Sequence, residues 1–241
     1  MNNITVRRAV ILAAGRGKRM GTLTEDIPKP MLPINGKPML EHIIHRLSQA
    51  GVEKFLVVIG YRGKMIKKHF RDSPYNIEFR EQDPVNGTAS AALLAEDFIG
   101  KKPWFLTYGD ILCDPAEYTR CVSVLDGHPA TAAVVAVKQV DDPWQGAAVY
   151  EIASVISKIV EKPPQGTSTT RWNSAGFYLF QRVAFEYLHR VQPSPRGEYE
   201  LTSALDMMLA DRLELRISPI TGDWRDVGRP EDLEAVNAGS A

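Results

Sequence analysis

The side chains best suited to holding a phosphate sit in one stretch, residues 9–33, AVILAAGRGKRMGTLTEDIPKPMLP. The apolar run Ala9-Val10-Ile11-Leu12 has the composition of a buried strand, and it breaks into Ala13-Ala14-Gly15-Arg16-Gly17-Lys18-Arg19. Small residues let a backbone come close to a ligand, and successive N–H groups in such a turn form a concavity for anions. Arg16, Lys18 and Arg19 add three cations within four residues. Lys29 follows between Pro28 and Pro30, which stiffen the backbone and fix its direction. An ordinary strand-to-helix turn with a solvated basic tip is the plain alternative.

Two familiar phosphate loops do not fit. The dinucleotide pattern G-x-G-x-x-G has Met20 at its third glycine, with Gly21 one residue late. The Walker A loop needs Ser or Thr after Gly-Lys, but Arg19 follows Gly17-Lys18, and Leu12 stands where the first glycine belongs.

Two carboxylates occupy the ends of apolar or aromatic runs beside glycines: Tyr108-Gly109-Asp110 and Trp224-Arg225-Asp226-Val227-Gly228. An Asp at a strand end commonly closes a turn or caps a helix. Two of them can also hold a hard cation such as Mg2+, which takes few protein ligands and fills its octahedron with phosphates and water. Gln82 carries both a donor and an acceptor, suited to a base edge, and Gly87 permits close backbone approach. A plain Asn86-Gly87 turn is the alternative there.

These residues need a scaffold. Lys54–Gly60, Asn76–Glu81 and Trp104–Tyr108 read as strands, alternating with helices that begin at Pro38, span 62–70, and run from Ala89 to Ala95. Such alternation implies an α/β fold of Rossmann-like type: a mixed, mostly parallel sheet with helices on both faces. Ligands bind at the carboxyl ends of strands in such sheets. The 13–19 loop, the 82–88 loop and Asp110 then share one edge. After about residue 130 the runs Thr131–Val140, Gly146–Glu151, Ser154–Glu161 and Arg171–Phe180 are spaced as hairpins. Helices follow near 181–192 and 199–211, then a strand at Leu213–Ile217 and a last helix from about 230. The chain reads as one domain, 1–241, with a nucleotide-type half at about 1–130 and a hairpin-rich half at about 131–241.

Composition narrows the class. Twenty-nine basic and 29 acidic residues give zero formal net charge, so neither nucleic acid nor a membrane is an expected partner. The apolar run near the amino terminus is too short for a persuasive signal core, and no stretch reaches the roughly 18–20 apolar residues of a membrane span. Cys113 and Cys121 lack a His or Cys cluster for zinc and read as reduced packing residues in a cytoplasmic protein. His42 and His45 lie between apolar positions and read as surface or satisfied-core residues. Oligomeric state is open, and so is whether Thr22–Asp26 is a closing loop or a fixed excursion.

LAAGRGKRM followed by PKPMLPINGKP resembles the signature of the nucleotidyltransferases that join an NTP to a sugar 1-phosphate. The resemblance runs from residue 9 to about 236 and implies a role for each motif. Leu12 to Lys18, with Gln82, Gly87 and Thr88, would bind the nucleotide. Arg19 and Lys29 would hold its phosphates, and Asp110 with Asp226 would hold Mg2+. Gly146, Glu161, Lys162 and Asn173 resemble the sugar-phosphate strands, with Lys162 on the acceptor phosphate and Glu161 on sugar hydroxyls. Arg196–Thr202 resembles a turn that lines that pocket or caps the next helix. The chain departs from the pattern at Asn86, an extra residue before Gly87, and at Arg229, where many relatives carry Thr. UTP is the favoured nucleotide. A GTP-using mannose-1-phosphate guanylyltransferase, a phosphocholine cytidylyltransferase and a non-catalytic nucleotide-sugar-binding subunit are the alternatives.

Overall fold

The computed structural model describes residues 4–239, so the extreme ends of the expected 1–241 domain lie outside the described residues. The strands are β1 (Arg8–Ala13), β2 (Pro33–Ile34), β3 (Lys37–Pro38), β4 (Lys54–Ile59), β5 (Asn76–Glu81), β6 (Trp104–Tyr108) and β7 (Ile111–Cys113). They continue as β8 (Ala133–Gln139), β9 (Ala147–Ile152), β10 (Val155–Glu161), β11 (Trp172–Phe180), β12 (Leu215–Pro219) and β13 (Trp224–Asp226). The helices are α1 (Met39–Gln49), α2 (Gly63–His69), α3 (Thr88–Leu93), α4 (Glu96–Ile99), α5 (Pro115–Gly127), α6 (Ala184–Leu188), α7 (Leu201–Ala210) and α8 (Pro230–Ala238).

One sheet runs in the order β5-β4-β1-β6-β11-β8-β12-β10-β9. Its strands point one way except β10 and β11, which run against their neighbours. The expected mixed, mostly parallel α/β sheet is what forms. Period-two alternation splits it into two faces. Ala9, Ile11 and Ala13 of β1 join Phe55, Val57 and Ile59 of β4 against α1 and α5, while Val10, Leu56 and Val58 face α3, α6 and α7. Helix α1 shows why: Met39, Leu40, Ile43, Ile44 and Leu47 form one buried stripe. Each such side chain contributes about 1.5–3 kcal/mol on full burial, so packing, more than helix propensity, holds α1 in place.

Register aligns the strand ends. Ala13 pairs with Ile59, Ile59 with Glu81, and Leu12 with Tyr108, so Ala14, Gln82 and Gly109 leave the sheet at one edge. Strand β11 runs antiparallel to β6, which brings its beginning, Trp172–Ser174, to the same side. Asn173 pairs there with Ala148 of β9, and the open end of the β9–β10 hairpin has Ala147 opposite Glu161.

The observed elements differ from the sequence reading in places. Pro38 precedes α1 instead of opening it, because Pro38 pairs with Pro33 in the small β2–β3 hairpin. The helix expected from Ala89 to Ala95 forms as α3, with the short α4 following it, and the strand expected at Leu213 starts two residues later. Helix α5 is absent from the sequence reading although its start is legible: Asp114 accepts the Ala116 N–H at 2.8 Å and Pro115 takes the first turn. Cys113 and Cys121 are buried free thiols, and burial pushes Cys121 up to about 12, so both stay protonated packing groups. Nε2 of His42 meets the Ile34 carbonyl at 2.9 Å. No helix among the described residues is long and apolar enough to cross a membrane.

Candidate functional site

At the shared strand edge two cavities meet. The larger, about 420 Å³, is lined by Leu12, Ala13, Ala14, Gly15, Gly17 and Lys18 from the first loop and by Gln82, Gly87 and Thr88 from the second. The smaller, about 220 Å³, is lined by Gly146, Glu161, Lys162 and Asn173 together with Asp226. Arg19, Thr88, Tyr108, Asp110 and Glu198 face both. Every site residue expected from the sequence borders one of the cavities except Arg16, whose guanidinium lies over the Tyr61 ring, 5.2 Å from its centroid.

The first loop is a left-handed turn at Gly17 (φ 72°) followed by a 3-10 segment, Lys18–Thr24. Lys29 is 7% exposed, and its ammonium pairs with the Asp110 carboxylate. A buried lysine needs such a partner to remain charged. Thr22–Asp26 is docked on the surface: the Tyr61 hydroxyl donates to the Glu25 carbonyl at 2.5 Å and Arg62 pairs with Asp26 at 2.8 Å.

Asp110 and Asp226 come from different parts of the sheet edge but are forced together. Strands β7 and β13 pair with Ile111 opposite Asp226, and Val227 donates to the Asp110 carbonyl at 3.0 Å. The Asp226 side chain opens toward the cleft, yet protein crowds its carboxyl on the remaining sides. That burial, reinforced by the charge of Asp110, pushes Asp226 up to about 6, against the opposing pull of Lys29 and Arg19. Two hard carboxylates facing one cavity fit a divalent cation. Among the described residues there is no cluster of three or more His, Cys, Asp or Glu that suits a metal, so further ligands would come from substrate and water.

Gly87 (φ 137°) makes the close approach expected of it, but to the chain itself: a Cβ there would stand 2.3 Å from the Tyr199 carbonyl oxygen. Tyr199 donates to the Asn86 carbonyl, Ala89 donates to the Tyr199 carbonyl (both 2.8 Å), and Leu201 N–H donates to the Thr88 hydroxyl at 2.9 Å. The 82–88 loop is thereby stapled to the turn before α7. On the other wall, Lys162 is held left-handed (φ 42°), a costly conformation for a side-chain-bearing residue, with its N–H on the Gly146 carbonyl at 2.7 Å. The Glu161 carboxylate accepts from Thr202 at 3.2 Å and Arg196 at 3.4 Å, and Arg196 also grips Glu200 at 2.9 Å. The Asn173 amide oxygen is buried without a partner beside this cavity. Unsatisfied acceptors of this kind are matched by a ligand donor such as a hydroxyl.

Sequence reasoning missed Tyr108 and Glu198 as lining groups. Tyr108 reads as the end of an apolar strand, and only the register with β1 shows that it floors both cavities. Burial, with the neighbouring Tyr178, raises its phenol well above the ordinary range, so it stays neutral.

The profile of the nucleotidyl transferase family matches residues 8–241. A UTP–glucose-1-phosphate uridylyltransferase, AglF, of Haloferax volcanii is 36% identical over 235 residues, covering 94% of this chain and 93% of that protein. The bifunctional protein GlmU of Methanococcus maripaludis is 35% identical over 232 residues, 95% of this chain but 53% of that one. The chain therefore spans about half the length of several curated relatives it matches. A crystal structure of a UDP-glucose pyrophosphorylase complexed with UDP-glucose superposes with a TM-score of 0.88 at 25% identity, covering 98% of this chain and 99% of that one.

Proposed function

The chain belongs to the nucleotidyl transferase family, and from that premise we propose that it transfers UMP from UTP to a sugar 1-phosphate, releasing pyrophosphate. The observation that carries this reading is the junction of two cavities at Arg19 and Asp110. One is lined by small backbone-forming residues and cations, as a nucleoside triphosphate requires. The other carries Lys162, Glu161 and the unpartnered Asn173 oxygen, as a sugar phosphate requires.

The acceptor phosphate, with a second pKa near ~6, is a dianion at neutral pH and needs no general base. The chain's task is to hold it in line with the α-phosphorus and to balance charge. Lys162 seats the acceptor phosphate, while Glu161 and Asn173 orient the sugar through its hydroxyls. Arg19 and Lys29 balance the charge that develops as pyrophosphate leaves. Gln82 and the Gly87 turn take the base. Asp110 and Asp226 would hold Mg2+, which when bound supplies a positive centre that screens the phosphate oxygens. Both substrates are small molecules.

Support comes from the residue set, the cavity junction and the uridylyltransferase relative. The test is pyrophosphate release with Mg2+, pairing UTP, dTTP, GTP, CTP and ATP with glucose-, mannose-, N-acetylglucosamine- and N-acetylmuramate-1-phosphate. Release that requires UTP and one sugar phosphate supports the reading. Binding of NTP without release from any pair would replace it with a nucleotide-sugar-binding role.

A further inference from the structure

Lys162 opens a loop that leaves the sheet after Glu161 and returns to it at Trp172. At the near end the Lys162 N–H donates to the Gly146 carbonyl at 2.7 Å. At the far end the Val140 N–H donates to the Arg171 carbonyl at 3.0 Å, Arg171 Nε returns a bond to the Val140 carbonyl at 3.2 Å, and its guanidinium pairs with Asp141 at 2.9 Å. Between these ends Pro163 and Pro164 lead into a turn at Gly166 (φ 75°), where the Thr167 N–H donates to the Pro164 carbonyl at 3.2 Å. One side chain reaches that turn from outside. Oδ2 of Asp142 accepts the Gly166 N–H at 2.7 Å, and among the described residues this is the one hydrogen bond tying residues 163–169 to another segment. The pairing continues the hairpin's register: Ala147 faces Glu161, Gly146 meets Lys162, and Asp142, four residues earlier, meets Gly166, four residues later.

We infer that Asp142 is a positioning residue for Lys162: by gripping Gly166 it holds the lysine in its left-handed conformation, on the wall of the acceptor cavity. A φ of 42° is costly for lysine, and the proline that follows narrows its choices further. Such a conformation persists only where the surroundings impose it. The Gly146 bond fixes one side of Lys162, but rotation about its own backbone would still carry the rest of the loop away. The Asp142 bond closes that route, because a carboxylate accepting a backbone N–H is among the stronger hydrogen bonds a loop can make. Asp142 touches no cavity and acts only through the lysine. The inference rests on the nucleotidyltransferase reading and deepens it, since Lys162 is there the seat of the acceptor phosphate.

Steady-state kinetics tests it, with the NTP and sugar 1-phosphate that the native chain turns over. Asp142→Ala, Asp142→Asn, Lys162→Ala and the double variant Asp142→Ala/Lys162→Ala are compared. Gly166 is exposed and Asp142 half-buried, so alanine leaves the core untouched, and urea unfolding checks this. Asp142→Ala is expected to raise KM for the sugar phosphate by about tenfold or more while KM for the NTP stays within about twofold. Asp142→Asn is expected to remain within about threefold of the native chain, because an amide oxygen still accepts from Gly166. The other carboxylate oxygen, Oδ1, is enclosed and makes no hydrogen bond that an amide nitrogen would forfeit. In the Lys162→Ala background, Asp142→Ala is expected to change kcat/KM for the sugar phosphate by less than about twofold. An unchanged KM for the sugar phosphate in folded Asp142→Ala overturns the inference. So does an equal rise in both KM values, a loss that asparagine does not rescue, or losses that multiply in the double variant. If the native chain transfers from no NTP to any sugar phosphate, the nucleotidyltransferase reading itself falls and takes this inference with it.

Discussion

Gly17 lies flat against the stem of Lys29: a Cβ on Gly17 would stand 2.8 Å from the Lys29 Cβ. The second glycine of the loop thus makes room for the lysine that follows twelve residues later, in a turn whose φ of 72° already disfavours a side chain. Alanine at this position meets both obstacles. Gly17→Ala is expected to cost about 1–2 kcal/mol of stability and to lower kcat/KM by at least about tenfold, because Lys29 must shift away from Asp110. Urea unfolding and steady-state kinetics on the same preparation measure both. Wild-type kinetics in the variant would mean that the Lys29 position is not set by this contact.

The Lys29–Asp110 pair separates a structural cost from a chemical one. The side chains are 9% and 23% exposed, so removing either partner strands a largely buried charge, at about 3–5 kcal/mol. Lys29→Met and Asp110→Asn should each destabilise, while the double variant should recover most of the loss. Turnover should stay down by orders of magnitude in all three, since Lys29 and Asp110 are proposed to act on phosphate and metal. Recovery of turnover along with stability in the double variant would assign the pair a structural role alone.

Arg16 and Arg19 are cations of the same loop, placed differently by the fold. Arg19 faces both cavities, whereas Arg16 lies on Tyr61. Arg19→Ala is expected to lower kcat by about 10²-fold or more, as loss of a charge-stabilising donor does. Arg16→Ala should remain within several-fold of the parent. Equal losses in the two variants would show that Arg16 leaves Tyr61 when the triphosphate binds.

Local patterns in the sequence made much of this legible. β1, β4 and β6 follow from short apolar runs bounded by glycine, charge or proline, and the shared edge follows from strand–helix alternation. What the chain hides is nonlocal. Nothing near Gly87 announces that it packs on Tyr199, more than a hundred residues away, or that Thr88 caps Leu201. The nearness of Asp110 and Asp226 depends on the β7–β13 ribbon, whose strands are three residues each and too short to show a period. Helix α5 was legible at its Asp114-Pro115 start and in Tyr118, Cys121, Val122 and Leu125, spaced i, i+3, i+4 and i+7, a signal that the sequence reading did not use.

Glu117 of α5 makes a prediction that pH can test. Its side chain is 2% exposed and accepts from Thr221 N–H (3.2 Å), the Thr221 hydroxyl (3.1 Å), Gly222 N–H (2.7 Å) and Arg120 (3.0 Å). Burial alone raises a carboxyl, but here these hydrogen bonds outweigh it and hold Glu117 below its ordinary value. A carboxyl lowered in the folded state adds stability above its unfolded pKa, about 4.3, and loses it as pH falls through the folded value. The contacts also anchor the loop that leads into β13 and Asp226, since Asp114 donates to the Asp223 carbonyl at 2.9 Å. Glu117→Gln is expected to lose about 2–4 kcal/mol at pH 7, with the gap to the parent closing below about pH 4. The variant should also need more Mg2+ for half-maximal turnover, because Asp226 is less firmly placed. Urea unfolding between pH 3 and 8 reads the first effect, and a gap that stays constant across that range would remove the charge of Glu117 from the account.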